Sequence, residues 1–261
     1  MGVLNVTPDS FYDGGRFLRQ EAAIARGREM AAEGADIVDV GGESSRPGAS
    51  PVDEAEELRR VIPIVEALAG EVRVSVDTVK PAVAAAAVAA GASLVNDISG
   101  RLWEVAAAGG AGWVAMHMQG SPRDMQRRPR YGDVVAEVHG FVLDRARTAA
   151  AAGVAEIWVD PGIGFGKTVA HNLALLARVG ELSGAAREEG FGTLVGTSRK
   201  SFLGTLGPEA AGRLGPEDRL EGSLATAVWS MVHGAAMVRV HDVGATAQAA
   251  ALIAQSAGAA A

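Results

Sequence analysis

Residues 157–168 read IWVDPGIGFGKT, an apolar run that breaks into a glycine-rich loop ending in Gly-Lys-Thr. Two readings compete, and each carries its own fold: a nucleotide-binding P-loop, or one of the βα loops on the rim of a barrel. A P-loop needs glycine, a four-residue spacer and then Gly-Lys-Ser/Thr after a strand. Counted back from Gly166, Lys167 and Thr168, the first glycine belongs at 161. The chain has Pro161 there, which offers no N–H to a phosphate and has a fixed φ. Asp160 just before it would repel the anion. The stretch is therefore read as a βα loop whose glycines make a mobile lid carrying Phe165, with Lys167 left without a role.

Similar apolar runs recur along the chain: VLNV at 3–6, IVDV at 37–40, VRVSV at 72–76, SLVN at 93–96, WVAM at 113–116, TLVG at 193–196 and MVRV at 237–240. With IWV at 157–159 they predict eight buried strands, apolar on both faces as parallel strands are. Segments of helical period lie between them. One starts at Glu21 and is stopped by Gly34; another runs from Asp53, with an acidic first turn that suits the helix dipole, to Gly70, with a kink expected at Pro63. Further helices are expected at 81–90, 102–108, 133–152, 171–188, 218–233 and 245–257. An open doubly wound sheet is the alternative architecture. The count of eight strand-then-helix units, without a linker between them, favours an α/β fold of the (β/α)8 TIM barrel type, a single domain over residues 1–261.

Composition narrows the function. The chain has 261 residues, 48% of them hydrophobic, so a large core is available. A net charge of −7 disfavours nucleic acid, whose backbone is held by clustered Lys and Arg. No cysteine is present, which removes disulfides, thiolate metal sites and a Cys nucleophile, and is compatible with a cytoplasmic location. The longest weakly polar stretch, 81–95, is too short to span a bilayer and reads as a buried helix and strand. MGVLNVTPDS has no basic region before an apolar one, so no signal peptide is expected. The histidines, at 117, 139, 171, 233 and 241, lack close metal-binding spacing, and His139 and His233 read as ordinary helix residues. RDMQRRPR at 123–130 reads as a solvated surface loop.

The residues at the ends of the strands are more informative. The runs end in Asn5, in Gly41 to Arg46, in Asp77, in Asn96 with Asp97, in His117, in Asp160, in Ser198 to Lys200, and in Arg239 with His241 and Asp242. In a βα barrel these ends share one rim, where such enzymes build their sites. Asp39, Asp77, Asn96 and Asp160 lie inside or at the very end of apolar runs, where a desolvated polar group needs a partner. Carboxylates and a carboxamide suit a ligand rich in N–H donors, such as an aminopyrimidinone. Arg46, Lys200, Arg239 and His241 suit phosphate or diphosphate.

GVLNVTPDSF at 2–11, DVGGESSRPGA at 39–49, SVDT at 75–78, NDISG at 96–100, MHMQG at 116–120, DPGIGFGKT at 160–168, SRKSF at 198–202 and RVHDV at 239–243 succeed one another in an order that resembles the dihydropteroate synthase family of pterin-binding enzymes. The resemblance implies condensation of 6-hydroxymethyl-7,8-dihydropterin diphosphate with 4-aminobenzoate, assisted by Mg2+, in a homodimer. Carried over, it assigns Asp77, Asn96, Met116, Asp160, Gly196, Lys200 and Arg239 to the pterin. It assigns Asn5, Ser45, Arg46, Arg239 and His241 to the diphosphate, and Asn5 also to Mg2+. Phe11, Pro47, Phe165, Lys200 and Ser201 form the aminobenzoate side. Arg46, Lys200, Arg239, His241 and Asp13 are the expected catalytic set, Asp13 on a loop that closes over the reacting centre.

No nucleophilic side chain is needed. Diphosphate leaves well once its charge is neutralised, the methylene carbon shares positive charge with the electron-rich dihydropterin, and an arylamine is already neutral at pH 7. Charge stabilisation and alignment carry the rate, and no general base is assigned. Asp97, Asp242 and Glu43 are read as structural partners. The chain departs from the family in having Ser45 for Thr, Tyr12 for Ser and Ile163 for Phe. The family also has a β-hairpin before the first strand, so a longer natural N-terminus is expected. The competing readings are a methyltetrahydrofolate:corrinoid methyltransferase, which has no diphosphate to hold, and a paralogue that binds pterin without turnover.

Overall fold

The computed structural model describes residues 1–6, 16–44, 48–206 and 215–259. Eight parallel strands form one sheet in chain order: β1 (Gly2–Asn5), β2 (Ile37–Gly41), β3 (Arg73–Asp77), β4 (Leu94–Asp97), β5 (Gly112–Met116), β6 (Ile157–Asp160), β7 (Gly192–Val195) and β8 (Met237–Val238). The ends of the sheet meet. Val3 N–H donates to the Val240 carbonyl at 2.9 Å, and Val240 N–H donates to that of Met1 at 3.0 Å. The sheet is thus a barrel rather than an open sheet. Strand β8 is shorter than the apolar run at 237–240, yet Val240 still bridges to Gly2.

Nine α-helices lie among the described residues: α1 (Arg16–Ala32), α2 (Glu54–Leu68), α3 (Pro81–Ala89), α4 (Trp103–Gly109), α5 (Val134–Ala151), α6 (Val169–Ala177), α7 (Val179–Glu188), α8 (Leu220–Val232) and α9 (Val243–Ala259). Asp53 and Asp133 cap α2 and α5 by accepting first-turn N–H groups. The single helix expected over 171–188 is two helices that join at Arg178. Pro63 does not interrupt α2. The Arg59 carbonyl, which Pro63 cannot serve, accepts instead from Gln20 Nε2 at 3.4 Å.

Alternation along the strands puts a different layer at each depth of the barrel. Ile37, Leu94, Val114 and Leu194 pack with Met1 against Trp158 and Met237 as an apolar inner cluster. Two residues further along the same faces come Asp39, Asn96, Met116, Asp160, Gly196 and Arg239. The intervening side chains, among them Val38, Val40, Val74, Val76, Val95, Trp113 and Val159, belong to the larger core with the helices. A two-residue period thus explains why polar groups interrupt apolar runs without breaking the core: they face the barrel axis, one step above its apolar layer.

Candidate active site

Parallel register brings Asp77 beside Asn96 and Met116 beside Asp160 at the C-terminal ends of their strands. All four are buried. Above the end of β8, Arg239 reaches back across the barrel: its Nε donates to Asp39 Oδ2 at 2.6 Å and its Nη2 to Asp77 Oδ2 at 2.7 Å. Asn96 Nδ2 donates to the same Asp39 oxygen at 2.9 Å. Burial works against the Arg239 charge, but Asp39 and Asp77 more than offset it and hold its pKa above the usual value. Asp77 is pushed up to about 7 by burial, opposed by Arg239 and reinforced by Asp39, Glu57 and Asp97. Burial and the neighbouring carboxylates thus work against the charged form of Asp77, a setting in which N–H donors brought by a ligand would find acceptors.

Asp160 ends β6 and faces the same space. Its Oδ1 accepts the Gly162 N–H at 2.7 Å. Burial raises its pKa, with Lys200, the Gly162 bond, Lys167 and Arg239 pulling the other way. Lys200 donates to the Ile163 carbonyl and lies over the Phe165 ring, 4.6 Å from its centroid. Burial lowers the Lys200 pKa to about 8, against the pull of Asp160. Gly196 lies beside both cations: a Cβ there would make ordinary contact, 3.6 Å from Arg239 Cβ and 3.9 Å from Lys200 Nζ. His241 is held by Ser198: its backbone N–H donates to Ser198 Oγ, and its Nδ1 lies 3.1 Å from the same oxygen. Ser201 is exposed at the start of a 3-10 turn, and Asn5 is half-buried at the end of β1. Phe11, Asp13, Ser45, Arg46 and Pro47 lie outside the described residues.

The glycines of the loop 160–168, read above as those of a lid, shape a turn that is bonded at several points. Gly162, Gly164 and Gly166 hold left-handed φ values of 63°, 84° and 62°. The backbone they shape is tied at several points. Asn172 Oδ1 accepts the Gly164 N–H at 2.7 Å, and Tyr131 Oη donates to the Gly166 carbonyl at 2.8 Å. Lys167 turns inward, 3% exposed, and donates to the carbonyls of Gly162 and Phe165, both at 3.0 Å, with His117 Nδ1 at 2.9 Å. Burial pushes Lys167 down to about 7, against Asp160. Burial and the Lys167 charge push His117 to about 3, so its ring is neutral and its Nδ1 can accept from the ammonium. Thr168 accepts the His171 N–H and caps α6. The three residues that look like a phosphate-binding signature thus serve as a turn, a buried staple and a helix cap.

Two buried residues have no role assigned from the sequence: Lys167, and Asp39 at the centre of the Arg239 and Asn96 bonds. The sequence signal for Asp39 was its place inside an apolar run. The residues set aside as structural do bond locally. Asp97 accepts the N–H groups of Ser99, Arg101 and Leu102 and the Trp113 indole N–H. Asp242 pairs with Arg199, and Glu43 with Lys80.

A family model described as pterin binding enzyme matches residues 1–241. The dihydropteroate synthase of Escherichia coli strain K12 is 46% identical over 258 residues, covering 95% of this chain and 88% of that protein. The chain belongs to the dihydropteroate synthase family of pterin-binding enzymes. Among solved structures, the Yersinia pestis dihydropteroate synthase with a sulfonamide drug complex superposes with a TM-score of 0.88 at 42% identity, covering 98% of this chain and 93% of that one. The Xanthomonas albilineans dihydropteroate synthase with 4-aminobenzoic acid gives 0.87 at 46% identity, covering 100% of this chain and 92% of that one. These matches run nearly end to end in both partners, so membership extends to the whole (β/α)8 barrel and to transferase activity of that type. Among the described residues no helix is long and apolar enough to cross a membrane.

Proposed function

We propose that this chain condenses 6-hydroxymethyl-7,8-dihydropterin diphosphate with 4-aminobenzoate, and that it does so by placing the pterin among the buried carboxylates of the rim. The observation that carries the reading is the gathering of acceptors in one pocket: Asp39, Asp77 and Asp160 stand around the Arg239 guanidinium, with Asn96 and Lys200 beside them. Asp77, Asn96, Asp160 and Lys200 read the pterin edge, and Met116 and Gly196 leave a slot for its ring. Arg239 and His241 stand at the opening, where they meet the diphosphate with Asn5, Ser45 and Arg46. Phe165, half-buried beneath the Lys200 ammonium, forms the aminobenzoate side with Phe11, Pro47 and Ser201. Asp13 acts from its loop over the reacting centre.

Among the described residues no group of three or more His, Asp or Glu side chains forms a metal cage. That fits Mg2+, which keeps several waters and is held by a few protein oxygens and by substrate phosphates. Asn5, a carboxamide at the open end of β1, would hold it, and the ion would supply charge neutralisation at the leaving group. The protein's own part is to desolvate the pterin, to orient the ring against Phe165 and to hold Arg239 and His241 where negative charge grows on the departing diphosphate. Diphosphate release is expected only when pterin diphosphate, aminobenzoate and Mg2+ are all present, and to stop with a chelator. Release without aminobenzoate, or pterin binding with no dihydropteroate formed, contradicts the reading. A corrinoid methyltransferase would instead leave diphosphate untouched.

A homodimer suits the apolar surface shared by α6 and α8. Val169, Leu173, Trp229 and Val232 are 36–61% exposed, and Trp229 Nε1 donates to the Leu176 carbonyl, which ties α8 to α6. Such a patch on a single barrel marks an interface. Sedimentation should give the mass of two chains, and Val232→Glu should give one. A wild-type monomer at micromolar concentration would contradict this.

A further inference from the structure

Asp39 is fully buried within β2, on the inner face that also carries Ile37 below and Gly41 above. Its Oδ2 accepts from both Asn96 and Arg239, while its Oδ1 is buried with no partner among the described residues. Taking a carboxylate this deep is costly, and replacing a buried ion pair by well-packed apolar residues is often neutral or stabilising. Stability is therefore a poor reason for an anion at this position. What the anion does is aim two other side chains.

We propose that Asp39 is a positioning residue of the pterin site, a fixed acceptor that sets the orientation of both Asn96 and Arg239. The inference rests on the pterin reading of the pocket and deepens it. A carboxylate can only accept, so the Asn96 amide must present Nδ2 to it and turn its oxygen the other way. The amide is thereby denied the flip that would present a donor in place of an acceptor. Arg239 is held at two edges of its planar fork, Nε by Asp39 on β2 and Nη2 by Asp77 on β3. Two fixed points set the plane of the guanidinium, whereas one would leave it free to swing about Asp77. In this reading the part of Asp39 is played through its Oδ2, which holds two side chains assigned to the pterin.

The test is a double-mutant cycle in pterin affinity, measured by calorimetry on the full chain with thermal melts in parallel. Asp39→Ala and Asn96→Ala are each expected to weaken pterin binding about tenfold or more, and the double variant little beyond the worse single one, since contacting residues couple. A merely structural role would instead lower the melting temperature of Asp39→Ala while leaving pterin affinity of the folded protein near wild type. Multiplicative losses, or an Asp39→Ala protein that binds as wild type does, overturn the proposal. Asp39→Asn, the variant least able to disturb folding, keeps an acceptor but loses the charge. It is expected to weaken binding severalfold, because charge-assisted bonds are about twice as strong as neutral ones; wild-type affinity there also overturns it. Wild-type protein that fails to bind pterin would instead remove the pterin reading itself, and this inference with it.

Discussion

Asp160→Asn is expected to lower pterin affinity by roughly two to three orders of magnitude while leaving the barrel folded. The substitution is nearly isosteric, so its effect isolates hydrogen-bond polarity. In the wild-type chain one oxygen of Asp160 accepts the Gly162 N–H, and the other is available to the pocket. An asparagine cannot meet both demands. If its oxygen stays on Gly162, its amide hydrogens face the N–H donors of the ligand; if it flips, they face the Gly162 N–H. Either way one donor confronts another. The charge that Lys200 and Lys167 lean on is lost as well. A charge-assisted bond contributes about 1.5–3 kcal/mol and a buried unmatched group costs about 1–3 more, and each 1.4 kcal/mol is tenfold in affinity. Calorimetric titration with a pterin measures it. Affinity within a fewfold of wild type would remove Asp160 from the recognition of the ligand, and the acceptor-rich pocket would need another occupant.

The strands of this barrel were legible because their signal is local. Each is a short apolar run, and all eight appear where the runs stand, including β8, cut to Met237–Val238 but still preceding Arg239. The rim was legible for a related reason. A polar side chain that interrupts a buried run must face something, and alternation decides that Asp39, Asn96 and Asp160 face the axis. Pairings were not legible. Arg239 finds Asp39 across 200 positions and Asp77 across 162, and Lys167 finds His117 across 50. No period or spacing encodes such contacts; closure of the barrel makes them.

The break in the helix at Arg178 was equally hidden. No proline marks it, Gly180 alone is a weak signal inside a helical pattern, and Arg178 leaves helical geometry at φ −116°, ψ 19° before α7 begins. The loop 160–168 was hard to read for a different reason. Glycines free the backbone to adopt left-handed φ, but the sequence does not say what that conformation brings together. Here it lets carbonyls turn inward, where Lys167 collects them. Lys167 has no role legible in the sequence because its partners, the Gly162 and Phe165 carbonyls and His117, face it only once the turn is made.

Gly162→Ala should show how much that turn matters. A Cβ at 162 would lie 1.9 Å from the His117 carbonyl oxygen, and no rotamer change relieves contact with backbone. The φ of +63° adds strain of its own for any residue with a side chain. The left-handed conformation costs about 1–2 kcal/mol and forced repacking about 1–3 more. The expected loss of stability is therefore about 2–5 kcal/mol, or on the order of 5–20 °C in Tm for a chain of this size. Function should fall further than stability. Gly162 donates to Asp160 and accepts from Lys167, so moving it disturbs the proposed pterin reader and the staple of the loop together. Pterin affinity and kcat/KM should both drop below the reach of Asp160→Asn alone. Two controls separate the local cause from a general intolerance of alanine. At Gly164 the added Cβ would meet only the Lys200 side chain, 3.0 Å away, which can give way, so Gly164→Ala should melt closer to wild type. At Gly140, inside α5 with nothing within 4 Å, alanine should be neutral or stabilising because glycine is the poorer helix former. If Gly162→Ala melts like Gly140→Ala and turns over at the wild-type rate, the close approach of this turn to β5 does not hold the site together.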